Sequence, residues 1–193
     1  MPRAQREQEI LDVAGHLFAR DGYHSASMDE IAQQADVSKP MLYAYFGSKE
    51  GLYVAYIERT GGELLERLER AFGEDRPRVH MRWRVGEFLK FVEQHRDGWR
   101  VLFNEASASR PVDEEVAQLR GQIIAAVRRL VEVGAAGVAL PVGASDAVAH
   151  AIVGAGESLA NWWLEHPEVP REDVAGWYAG IVRAIVSGVL TPA

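Results

Sequence analysis

The sequence predicts an all-α protein of about nine helices, with a helix-turn-helix head joined by a long fourth helix to a larger helical body. Three observations predict it. Apolar residues recur three and four apart along the chain, and no segment alternates with the period of two that a strand requires. Glycines, prolines and Ser or Asp caps punctuate the chain at intervals suited to helices. Within residues 27–50, two short helical patterns are separated by a joint only a turn long.

The first helix is expected from about Ala4 to Arg20, with Ile10, Val13, Ala14, Leu17 and Phe18 as its buried stripe. Asp21-Gly22 closes it, because glycine takes a positive φ without strain. Ser27 with Glu30 three residues later reads as a capping box opening a helix from Met28 to Ala35. Ser38 caps the next, from Lys39 to Phe46, and Pro40 is tolerated there because its missing N–H has no intrahelical partner. Leu42 and Phe46 then face inward, while Lys39, Met41, Tyr43 and Tyr45 point elsewhere. This pair of helices describes a unit that sets its second helix into the DNA major groove. Gly47 ends that helix and Ser48 caps a long one, Lys49 to Phe72. Gly61-Gly62 in its middle marks either close packing against a neighbour or a flex point between domains.

After a break at 73–77, a helix is expected over 78–95, with Val85, Phe88, Leu89 and Val92 on one side. Asp97-Gly98 is a joint, and a short helix follows from Trp99 to Ala108. Val112 to Val133 is the clearest amphipathic helix, with Val116, Leu119, Ile123, Val127 and Leu130 facing a core. Residues 134–143 form a Gly/Pro loop. Ser145 or Asp146 opens the eighth helix, which runs to His166, and Pro167 with Pro170 separates it from the ninth, Arg171 to Leu190. These two helices interleave small residues with large ones: Ala151, Gly154 and Ser158 beside Trp162, and Gly176, Gly180 and Gly188 beside Trp177 and Ile181. Both are apolar around much of their girth, which requires burial on more than one side.

Phe18-Ala-Arg-Asp-Gly-Tyr23, Ser27-Met-Asp-Glu-Ile-Ala32, Val37-Ser-Lys-Pro-Met-Leu-Tyr-Ala-Tyr-Phe46 and Ser48-Lys-Glu-Gly-Leu52 together resemble the N-terminal domain of the TetR family of transcriptional regulators. The match covers roughly residues 6–56; the rest resembles the family in length and helical character. The resemblance implies a DNA-binding domain over 1–50 and a ligand-binding and dimerisation domain over 51–193. It implies DNA contacts at Ser27, Ser38, Lys39, Pro40, Met41, Tyr43, Tyr45 and Lys49. Lys39 suits a guanine edge, Met41 a thymine methyl, and the two tyrosine hydroxyls suit phosphates. Ser27 is also a cap in its own right, and Tyr43 reads either as a contact or as core. Met41 and Ala44 stand where many relatives differ, so the resemblance implies no particular operator. It further implies a homodimer through the last two helices, which pairs two recognition helices with two half-sites of an operator.

The same resemblance implies an effector cavity among the fifth to eighth helices. Trp83, Phe88, Trp99, Phe103 and Trp162 are its expected apolar walls, and Glu157 and Asn161 its polar contacts. The bland alternative for each is core or surface. That lining suits an apolar or weakly polar organic effector, cationic if Glu157 is ionised and reaches it. Function is then expected to be ligand-responsive control of transcription, most simply repression relieved by the effector. The alternative is a helical small-molecule-binding protein without DNA-regulatory activity.

Bulk composition bounds these readings. Net charge is −7, and residues 1–60 carry nine acids against six bases, which argues against a general nucleic-acid coat and for a shallow salt dependence. The absence of cysteine excludes disulfides and thiolate metal sites and fits a reducing cytosol. No apolar signal region opens the chain and no stretch is long enough to span a bilayer, so a cytoplasmic protein with no membrane partner is expected. No Glu-x-x-His pair, His-Glu-x-x-His, Gly-x-Ser-x-Gly or phosphate-loop motif occurs, and the six histidines are scattered. Neither an enzyme nor a cofactor is expected.

Overall fold

The computed structural model describes residues 2–72, 81–103, 110–135 and 140–190. Over these residues the chain forms α1 (Arg3–Ser25), α2 (Met28–Gln34), α3 (Lys39–Phe46), α4 (Lys49–Phe72), α5 (Met81–Gln94), α6 (Arg96–Phe103), α7 (Arg110–Gly134), α8 (Ala144–Glu165) and α9 (Arg171–Leu190), with no strand among them. The all-α expectation and its element order are observed. The expected helical residues 78–80 and 104–108 lie outside the described residues. Among the described residues no helix is long and apolar enough to cross a membrane.

Two compact units result: Met1–Glu63 with His95–Leu119, and Leu64–Gln94 with Arg120–Ala193. α6 and the first part of α7 therefore pack in the unit that holds the helix-turn-helix.

In the first unit, Ile10, Ala14, Leu17 and Phe18 of α1 are buried as the periodicity requires. The long regular stretch of α1 closes at Asp21-Gly22 as expected, with Gly22 at positive φ (φ 77°, ψ 161°), and a further helical turn follows to Ser25. Aromatic packing accompanies that turn: Tyr23 meets the Tyr53 ring edge-on at 4.9 Å, and Tyr53 meets Phe18 at 4.7 Å. α1 meets α4 at Gly15, and α6 meets α4 at Gly98. A Cβ at Gly15 would enter the Tyr56 ring, and one at Gly98 would meet Thr60. Gly61 lets Leu119 of α7 approach α4 closely, whereas a Cβ at Gly62 would meet open space. Close packing thus accounts for Gly61. The division between the units falls one residue beyond Gly62, between Glu63 and Leu64 of the same helix.

The second unit is built on α5, α8 and α9. Its core joins Val85 and Leu89 to Val148, Ile152 and Trp163, and to Val174, Ala175, Tyr178, Ala179 and Val182. Its two large polar-tipped residues are satisfied internally. Trp163 Nε1 donates to the Val169 carbonyl at 2.9 Å, and the Tyr178 hydroxyl donates to the Ile152 carbonyl at 2.7 Å. Gly156 is required beneath Tyr178, whose hydroxyl would meet any Cβ there.

Candidate functional site

The head is assembled by local caps. Ser27 Oγ accepts from the Asp29 N–H at 3.3 Å, and Ser38 Oγ accepts from the Met41 N–H at 3.3 Å. Ser48 Oγ does the same for Gly51 at 2.9 Å and opens α4. Gly47 (φ 73°) ends α3. The turn between α2 and α3 is set by Asp36 at φ 52°, a conformation that Asp tolerates better than most residues. Glu30 does not spend its carboxylate on the expected capping box. Its Oε1 accepts from Arg20 at 2.9 Å and from Gln34 at 3.0 Å, tying α2 to α1. Arg20 also holds Asp21 at 2.6 Å, and that hydrogen bond keeps the Asp21 carboxyl below its usual range.

Leu42 is fully buried, and Ile31 and Ala32 of α2 are buried as well. Phe46 is only half-buried, less inward than its spacing suggests. The opposite face of α3 is open: Lys39, Pro40, Met41 and Tyr43 are exposed. Tyr43 is 41% exposed, which excludes the core reading of that ring. Tyr45 is half-buried under the Arg3 guanidinium, 5.0 Å from its centroid. Two of the expected contact lysines already have protein partners. Lys39 Nζ lies 2.8 Å from Asp29 Oδ1, and this bond raises its pKa. Lys49 Nζ donates to the His24 carbonyl at 3.0 Å and sits over the Tyr23 ring. The Lys39–Asp29 pair bridges ten residues, which no helical spacing rule detects.

The expected ligand residues divide between the units. Trp99 and Phe103 belong to the first, their rings 4.2 Å apart with Trp99 fully buried. Trp83, Phe88, Glu157, Asn161 and Trp162 belong to the second. Phe88 packs toward Tyr178 at 6.2 Å, Trp83 is exposed on α5, and Asn161 is half-buried on α8. Trp162 stacks on His166 at 4.3 Å and lies 6.3 Å from Trp177. Glu157 is the most distinctive of them. Its Oε2 accepts from Arg120 at 2.6 Å, while its buried Oε1 has no hydrogen-bond partner among the described residues. Burial raises its pKa, and the Arg120 charge only partly opposes this. Burial, with the Glu157 charge second, likewise pushes the Tyr178 hydroxyl up. Arg120 is the counter-ion that the protein itself supplies to Glu157. Sequence periodicity had no means of finding Arg120, which lies 37 residues away.

Alongside the α8 core, a stripe of apolar or small side chains is left open. Ala147, Ala151, Ser158 and Trp162 of α8 are exposed, as are Trp177 (51%), Ile181 (41%), Ala184 and Gly188 of α9. Gly154 and Gly180 lie beside it, and a Cβ on either would meet open space.

Comparison with known proteins gives this architecture its context. The family described as "Bacterial regulatory proteins, tetR family" matches residues 10–56, and "Tetracyclin repressor-like, C-terminal domain" matches residues 77–186. The HTH-type transcriptional activator FasR of Mycolicibacterium smegmatis is 30% identical over 176 residues, covering 91% of this chain and 80% of FasR. The crystal structure of a TetR-like transcriptional regulator from Rhodococcus sp. RHA1 is 33% identical, with a TM-score of 0.78 over 97% of this chain and 99% of that one. FadR of Bacillus subtilis, crystallised in complex with stearoyl-CoA, shares the fold at 17% identity, with a TM-score of 0.75 over 94% of this chain and 98% of that one. The chain therefore belongs to the TetR family and is a DNA-binding transcriptional regulator.

Proposed function

We propose that the protein acts as a homodimer on a palindromic operator and releases it when a small organic effector binds the body, so that it represses in the effector's absence. The open face of α3 carries this reading: Leu42 anchors the helix while Lys39, Met41 and Tyr43 face outward. Ser27, Ser38, Pro40, Tyr45 and Lys49 complete the contact surface, with the cap serines positioning backbone N–H groups toward phosphate. Functionally, residues 1–50 read DNA and 51–193 bind effector and partner. The exposed stripes on α8 and α9 support pairing, since a contiguous apolar surface is covered in most stable proteins.

The effector is a mainly apolar molecule with a hydrogen-bond donor. Glu157 supports this, because its unpartnered buried Oε1 is an acceptor waiting for a donor. Asn161, one turn further along α8, is the second directional contact. Trp83, Phe88 and Trp162, in the same unit as Glu157, supply the aromatic surface, whereas Trp99 and Phe103 belong to the other unit and are left to its core. The stearoyl-CoA complex of FadR lends weight to an effector with a long apolar part. Binding need only favour a dimer whose two α3 helices no longer fit half-sites about 34–36 Å apart.

Mobility-shift titration of the full-length protein against its own upstream intergenic DNA tests this reading. A saturable shift that an apolar effector reverses is expected; no shift at low salt with folded dimer present rejects it. Activation is the second reading, favoured by the activator function of FasR. A promoter fusion with the regulator deleted separates the two, since expression rises if the protein represses and falls if it activates.

A further inference from the structure

A groove of about 770 Å³ runs between α5 and α9, lined by Met81, Arg82, Trp83, Gly86, Glu87, Lys90, Arg171, Glu172, Ala175, Gly176, Ala179 and Arg183. Four of these side chains are cationic and two anionic, a local balance of +2 in a chain of net charge −7. The ion pairs fall on one of the four cations, Arg171. Glu172 is drawn to Arg171 at 3.4 Å, and Arg171 is also held by Glu93 at 2.8 Å. Among the described residues Arg82 donates to the Glu172 backbone carbonyl, at 2.8 Å. Lys90 and Arg183 take no ion-pair partner among the described residues. Small residues keep the α9 side low: Gly176 leaves its floor bare, and the Arg82 guanidinium reaches across to within 3.7 Å of where a Cβ would stand.

We propose that this groove binds an elongated organic anion bearing two or more phosphate groups. Its length follows from helix geometry. Arg82 and Lys90 are two turns apart on α5, about 12 Å, and Arg171 and Arg183 span about 18 Å on α9. A single carboxylate would meet one of these cations. A phosphorylated molecule with on the order of two charges per terminal phosphate meets several, and arginine forks suit its oxygens. Arg171 opens α9, where the positive helix end is met by Glu172 and Asp173 of the first turn, so the groove's attraction for an anion rests on Arg82, Lys90 and Arg183. Met81 and Trp83 offer apolar surface there to the organic part of the ligand.

The groove shares Trp83 with the effector surface proposed above but takes no residue of α8, so Glu157 and Asn161 stand outside it. It also leaves the proposed dimer stripe alone. Ala175, Ala179 and Arg183 lie on the flank of α9 toward α5, whereas Trp177, Ile181 and Gly188 lie on the other side of its buried face.

Isothermal titration of the full-length protein with adenosine diphosphate, against adenosine and inorganic pyrophosphate, tests the proposal. Saturable binding of the diphosphate, competition by pyrophosphate and silence with adenosine are expected. Lys90→Glu, at a half-buried position, and Arg183→Glu, at an exposed one, should each weaken binding by at least about tenfold while operator binding persists. No binding at low salt, or wild-type affinity in both variants, overturns it. Displacement by sodium chloride and by pyrophosphate at matched ionic strength to the same extent also overturns it, since that marks only a diffuse ionic atmosphere. Should a variant unfold by circular dichroism, the wild-type competition and salt arms decide alone. Retained operator shifts with no diphosphate binding reject the groove and leave the transcriptional reading standing.

Discussion

Lys39 Nζ lies 2.8 Å from Asp29 Oδ1, so the cation best placed to meet a base edge is held by the first turn of the preceding helix. DNA must replace that carboxylate before the lysine can contact it. Asp29→Asn keeps a polar group on α2 but removes the charge. Non-specific DNA affinity should then rise a few-fold at low salt, and the salt slope should steepen by about 0.9 if one more phosphate is neutralised. Binding of random-sequence duplex at several salt concentrations measures this. An unchanged slope would mean Lys39 does not reach the backbone.

Lys49 and Tyr43 separate positioning from packing. Lys49→Ala removes a bond to the His24 carbonyl and a contact with the Tyr23 ring. It should lower stability by about 0.5–1.5 kcal/mol and weaken binding to all DNA sequences alike. Tyr43 is exposed, so Tyr43→Phe and Tyr43→Ala should both leave thermal stability nearly unchanged. If the ring packs on DNA and the hydroxyl meets a phosphate, Ala should cost more affinity than Phe; equal losses assign the effect to the hydroxyl.

Gly180→Leu tests the dimer without perturbing the protomer. A side chain there meets nothing within its own chain, and leucine favours helix over glycine by up to about 1 kcal/mol. The protomer should therefore fold normally, while overpacking of the seam costs about 1–3 kcal/mol of pairing. Sedimentation should show monomer, and operator affinity should fall with it. A dimer with full DNA affinity would move the seam off this face.

The junction of α1 with α6 and α4 depends on two missing Cβ atoms. Gly15→Ala would drive a methyl into the Tyr56 ring, and Gly98→Ala would press on Thr60. Both residues are buried, and Tyr56 is confined enough for burial to push its pKa up to about 12. Each variant should lose about 1–3 kcal/mol in denaturant titration despite alanine's better helix propensity. A net gain would show that the ring has room to retreat.

Glu157 predicts a pH dependence. Its pKa is raised by burial, so the folded state binds the proton more tightly than the unfolded chain. Stability therefore falls as pH rises from the ordinary carboxylate range through the raised folded value. Glu157→Gln removes this dependence. The variant should be the more stable form above that window and should converge with the parent below it, in denaturant titrations at pH 8 and pH 4. Identical profiles would show that Arg120 offsets the burial fully.

What the sequence determined by itself is the local part. The caps at Ser27, Ser38 and Ser48, the stop at Gly47, the span of α9 and the inward Leu42 follow from hydrogen bonds and side-chain periods that close within four residues. The motifs between Phe18 and Leu52 were therefore legible, and the family with them. Tertiary structure decided whatever depends on partners distant in the chain. Tyr53 packs on Tyr23 in the helical turn beyond Gly22, and Arg20 takes Glu30 from its capping box. Asp29 engages Lys39, Arg120 engages Glu157, and Trp99 is buried in the unit that holds the head. The cationic groove is the clearest case: Lys90 and Arg183 look like ordinary surface charges until α5 and α9 pack side by side. Helical spacing records which face a residue occupies, but which faces meet depends on the packing of helices far apart in sequence.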